Sequence, residues 1–121
     1  MIRPALPLLL AAACRGSFAT PPQTPIPTGG DADRGRQAIV EHHCGACHVI
    51  PGIRGAKGVV AAPLTQFALR SYIAGRVPNT PSNLMAFIEN PRQIDPGVAM
   101  PALGVGGQEA RDVAAYLYTL R

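Results

Sequence analysis

At 121 residues the chain has room for one small domain plus extensions, and its 47% hydrophobic content is ample for a core. Thirteen Gly and thirteen Pro assign much of the rest to turns and loops. The formal charge is +4, yet the 11 Lys and Arg form no run and aromatic residues are only 5%, so the chain has neither a phosphate-tracking stripe nor a stacking platform, and nucleic acid is not the expected partner.

The chain opens with a short positive start at Arg3 and an apolar run over residues 5–13 broken only by Pro7, the shape of a secretory signal. The run is too short to span a bilayer, which needs about 20 apolar residues. Two processing signals overlap at its end. Leu10-Ala11-Ala12-Ala13-Cys14 resembles a lipoprotein signal, with Cys14 as the lipidated first residue and residues 1–13 removed; Ser17-Phe18-Ala19 fits ordinary cleavage of residues 1–19. Lipidation is the favoured reading because Cys14 is otherwise an odd cysteine. Either route expects export to an oxidising compartment, the periplasm; acyl chains on Cys14 would tether the protein to the membrane without spanning it.

Residues 14–30 are rich in Pro, Thr and Gly and read as a disordered linker. The folded part, residues 31–121, is expected to begin with a helix at Asp31-Ala32-Asp33, whose acids suit the positive end of the helix dipole. Gly35 inside that helix predicts a close helix crossing. His42 and His43 fall at its far end and read as surface residues.

Cys44-Gly45-Ala46-Cys47-His48 is the pattern of covalent haem attachment: two thiols one turn apart for the porphyrin vinyl groups, and an adjacent imidazole for the iron. The same residues could form a redox dithiol, or a zinc site with His42 and His43. A dithiol of the thioredoxin type wants a βαβ context that the chain lacks, and structural zinc usually takes its ligands from two separated knuckles. Two haem propionates would bring the working charge closer to neutral.

Residues 49–62, with three glycines and one proline, are expected to wrap the haem as a loop, and residues 70–75 to form a short helix with a Gly stop. Arg70 and Tyr72 can donate to haem propionates, or else be a surface Arg and a core Tyr. Thr80-Pro81 is a helix start, with Thr80 as N-cap, and Pro91 forces an end near Asn90. Met85 lies on this helix and reads as a packing methionine. Met100 lies in a loop stiffened by Pro96 and Pro101, from which a thioether can be delivered side-on, and is the candidate sixth ligand. Ala110, Val113, Ala114, Leu117 and Leu120 recur at helical spacing and close the chain with a helix over residues 108–120.

Over residues 32–121 the chain resembles the class I bacterial cytochromes c, specifically small monohaem members associated with respiratory oxidases. The resemblance rests on Cys44 to His48, on the Met100-Pro101 loop and on Val113-Ala114-Ala115-Tyr116-Leu117. It implies an all-α fold with one covalent haem c, the first and last helices crossing at Gly35 and Tyr116, and the Pro63 carbonyl accepting a hydrogen bond from His48. Ile39 stands where the family usually has an aromatic, Ala62 where it commonly has glycine before the proline, and Phe87 where many members have Trp. Phe87 cannot donate to a propionate, so that role shifts toward Arg70, Tyr72, Arg54 or Lys57.

An iron held by His48 and Met100 has no open position, so the expectation is an electron carrier rather than an enzyme. The resemblance implies a quinol-oxidising complex as donor and a terminal oxidase as acceptor. Alternatives are a haem peroxidase, which needs an open iron, and a gas sensor in which Met100 is displaced.

Overall fold

The computed structural model describes residues 22–121; the expected signal peptide, both processing sites and Cys14 lie outside those residues. The described part is mainly helical: α1 (Ala32–Glu41), α2 (Pro81–Glu89), α3 (Pro91–Ile94) and α4 (Gln108–Leu117). Long loops between them hold two 3₁₀ turns, Cys44–Ala46 and Phe67–Leu69, and a hairpin of β1 (Tyr72–Ile73) and β2 (Val77–Pro78).

Helix α1 starts where the acids predict. Asp31 is extended (φ −116°, ψ 125°) and its carboxylate accepts from the Arg34 N–H at 2.9 Å, satisfying a donor the helix cannot. Gly35, Ala38 and Ile39 are buried, the i, i+3, i+4 stripe of a helix packed on one side. That side lies on α4, which buries Ala110, Asp112, Val113, Ala114, Tyr116 and Leu117. At the crossing a Cβ on Gly35 would overlap the Asp112 carbonyl, so only glycine lets the backbones approach this closely. Gly35 therefore meets Asp112 and Val113 rather than Tyr116. The Tyr116 phenol instead donates to the Pro51 carbonyl at 2.6 Å.

Asp112 is a buried acid that ties α4 to the start of α1. Its carboxylate accepts from the Asp31 N–H (2.8 Å), from the Arg34 guanidinium (2.9 and 3.1 Å) and from the Gln108 amide (3.0 Å). The Arg34 hydrogen bonds hold its pKa well below the ordinary carboxylate range, against the opposing pull of burial.

The end of the stretch read as linker is part of the fold. Ile26 packs on the core, Thr28 is 8% exposed, and the Gly29 carbonyl accepts from Gln108 at 3.0 Å. The Thr28 hydroxyl accepts from the Gly30 N–H at 3.1 Å. Pro and Gly composition signals weak self-ordering, but α4 offers a surface on which this segment can lie.

The short helix expected over residues 70–75 is a hairpin. Tyr72 pairs with Pro78 and Ile73 with Val77, across a turn in which Ala74 (φ 49°) and Gly75 (φ 67°) are both left-handed. Two successive positive φ values are the mark of a tight hairpin turn and exclude a right-handed helix. Helix α2 follows the forecast, with Thr80 as N-cap and Pro81 in its first turn. Pro91 does end it near Asn90 but also starts the short α3, since proline at a first helical position forfeits no hydrogen bond.

Candidate cofactor cleft

The cleft is organised by the turn after α1. His43 sits in the left-handed region (φ 54°), breaking the helix and starting the 3₁₀ turn that carries Cys44. His48 N–H donates to the Cys44 carbonyl at 3.0 Å, so a single closed turn sets the two thiols and the imidazole. Cys44 is half-buried and Cys47 exposed, and neither is in a disulfide. Burial pushes the Cys44 thiol above its ordinary pKa.

The His48 Nδ1 lies 2.7 Å from the Ala62 carbonyl oxygen. A carbonyl can only accept, so Nδ1 carries the proton and Nε2 is left with its lone pair, the form a metal requires. The expected acceptor was Pro63, and the structure moves it one residue back. Ala62 is held extended by the following proline, and successive carbonyls of extended backbone face opposite ways. Ala62 therefore turns to His48 while the Pro63 carbonyl accepts from Arg70.

Two adjoining cavities open on these groups. The outer one, ≈330 Å³, is lined by Cys44, Cys47, His48 and, from the loop before α4, Met100, and lies within the range of about 300–1,000 Å³ typical of cofactor sites. The inner one, ≈50 Å³, shares Cys44, His48 and Met100 and is otherwise walled by apolar side chains, among them Ile39 from α1, Ile88 from α2 and Val113 and Leu117 from α4. A larger hollow of ≈470 Å³ between the extended segment before α1 and the α4 end of the chain contains none of these donors.

This donor set fits a covalently bound haem: an apolar slot, two thiols on its rim, and an imidazole and a thioether on shared walls. It does not fit zinc, because the described residues contain no group of three or more His, Cys, Asp or Glu able to hold a metal ion. His43 is exposed, and His42 faces Glu109 at the start of α4, 3.1 Å away. Met85 packs against the core and lines neither cavity.

Arg70 and Tyr72 are not on the cleft walls either. Arg70 donates to the Pro63 and Thr65 carbonyls, the latter at 3.2 Å, with its guanidinium 5.6 Å from the Phe67 ring centroid. Tyr72 is 60% exposed on β1, because the hairpin turns it outward and Ile73 inward. Arg54 and Lys57 are exposed on the loop before Gly58.

Sequence reasoning missed Asn79 and Tyr118. The Asn79 amide donates to the Phe67 and Arg70 carbonyls at 3.1 and 3.0 Å, and its oxygen accepts from the Tyr118 phenol at 2.9 Å. Desolvation pushes Tyr118 up to about 12, which keeps it a neutral donor. Asn79 precedes a helix cap and reads locally as a turn residue, so nothing in its neighbours signals this role.

Comparison with known proteins agrees with the site. The family described as "Cytochrome c" matches residues 32–121. The chain is similar to cytochrome c oxidase subunit 2 of Alkalihalophilus pseudofirmus, 35% identical over 97 residues that cover 78% of this chain and 27% of that protein. The chain thus spans about a quarter of that relative's length.

Proposed function

Because the chain belongs to the cytochrome c family, we propose that it is a single-haem electron carrier with His48 and Met100 as the axial ligands, working with a terminal oxidase. The carrying observation is that His48 and Met100 line both cavities together with Cys44. Bound there, haem c supplies a one-electron iron couple.

The residues around it do the rest. Cys44 and Cys47 would hold the group by two thioether bonds. The Ala62 carbonyl fixes the proton on His48 Nδ1 and makes Nε2 the better donor. As a ligand, the Met100 thioether would raise the reduction potential. Held by both His48 and Met100, the iron would keep no position for a substrate, which argues against a peroxidase or a gas sensor. Apolar walls from α1, α2 and α4 exclude water, so little solvent must reorganise when the charge changes.

The link to an oxidase is supported by the likeness to cytochrome c oxidase subunit 2. For the location we take the periplasmic side of the membrane, with Cys14 lipidated. Mass spectrometry of the mature amino terminus tests this: acyl chains on Cys14 are expected, and a free terminus at Thr20 would end the idea.

The ligand assignment is tested by Met100→Ala. This variant should lose the far-red iron–thioether absorption band, drop in reduction potential and bind carbon monoxide when reduced, while Met85→Ala changes none of these. The reverse pattern would move the ligand to Met85.

A further inference from the structure

The segment that presents the Ala62 carbonyl to His48 has no regular secondary structure, so its backbone groups need partners from elsewhere. On one side it is tied to the haem-attachment segment: Ala61 N–H donates to the Cys47 carbonyl at 3.0 Å and Leu64 N–H to the Val49 carbonyl at 2.8 Å. On the other side the next free carbonyls, Pro63 and Thr65, are both taken by one terminal nitrogen of Arg70. Arg70 is itself fixed. Asn79 donates to its carbonyl and to that of Phe67, Phe67 lies beneath its guanidinium, and the buried Tyr118 phenol holds the Asn79 amide in place.

We propose that Arg70, held by Asn79, is a positioning residue for the His48 imidazole. The path runs from the Tyr118 phenol through the Asn79 amide to the Arg70 backbone, and from the Arg70 guanidinium to the Pro63 and Thr65 carbonyls that follow the Ala62 acceptor. Fixing Pro63 from behind prevents the peptide from rotating the Ala62 carbonyl off Nδ1, so the strength of that hydrogen bond, and with it the basicity of Nε2, depends on donors on the far side of the loop. The role belongs to hydrogen-bond donation. A neutral donor of suitable length can fill it and an isosteric apolar chain cannot.

The assignment rests on His48 being the iron ligand, and its test is separate from that of the ligand. In the reduced, haem-loaded protein, solvent exchange of the His48 Nδ1 proton is followed by NMR in Arg70→Met, Arg70→Gln and Asn79→Ala. Exchange should quicken about tenfold in Arg70→Met and Asn79→Ala, as expected when one hydrogen bond's protection is lost. It should stay near the parent value in Arg70→Gln, and core amides of α1 and α4 should keep their rates throughout. The reduction potential should follow the exchange rate. Unchanged exchange in Arg70→Met, or equal changes in Arg70→Met and Arg70→Gln, would overturn the assignment. Should Arg70→Met fail to fold, Asn79→Ala, which leaves the guanidinium in place, decides by the same readout. An intact iron–thioether band with insensitive His48 exchange fails the Arg70 assignment alone.

Discussion

Asp112 shows how one side chain can set the acid limit of the molecule. Its pKa in the fold lies below the unfolded value of about 3.9, so the folded state binds fewer protons than the unfolded one near that pH. The stabilisation is therefore complete above about pH 4 and is lost as the pH falls from there through the folded value. The guanidinium of Arg34 is 59% exposed, so water screens part of the ion pair, and the Asp31 N–H and Gln108 amide carry the remainder. Asp112→Asn should cost about 1–3 kcal/mol, the usual penalty when a buried group loses a partner. Denaturant melts at several pH values should also show a flatter fall between pH 4 and 2 than in the parent; an unchanged acid limb would mean that another carboxylate dominates.

At the scale of elements, the α1–α4 crossing and the hairpin make opposite demands on small residues. Gly35→Ala places a methyl group against the Asp112 carbonyl, backbone that cannot move without shifting α4. Its cost should reach or exceed the upper end of the about 1–3 kcal/mol typical of overpacking, read as a lowered melting temperature. Ala74 is strained in the other sense, because φ 49° disfavours any Cβ. Ala74→Gly should therefore be neutral to stabilising by up to about 1 kcal/mol, with the hairpin register unchanged. A loss on Ala74→Gly would show that the alanine methyl packs more favourably than its backbone strain costs.

For the whole molecule, the face around the cleft is apolar. Val59 and Val60 are 90% and 77% exposed, Pro101 and Ala102 are exposed beyond Met100, and the outer cavity has no Lys, Arg, Asp or Glu in its lining. If an oxidase docks on this face, as proposed, electron transfer should depend little on salt, falling by less than about twofold over a tenfold rise in ionic strength, because the cavity lining carries no Lys, Arg, Asp or Glu to screen. Stopped-flow oxidation of the reduced protein by a cytochrome c oxidase measures this directly. A steep decline would place docking on a charged surface elsewhere.

The amino-acid sequence by itself determined the Cys44–His48 motif, the caps at Asp31 and Thr80, the glycine at the helix crossing and the loop that carries Met100, because each is a local pattern with a local physical cause. Only the tertiary structure decided the acceptor for His48, since Ala62 and Pro63 differ in which way extended backbone turns them. It also decided the hairpin at Ala74 and the packing of residues 26–30, where a surface supplied by distant residues overrides composition. The Asp112 and Asn79 networks belong here too: their partners lie up to 81 positions away, and hydrogen bonds across such distances leave no periodic mark in the chain.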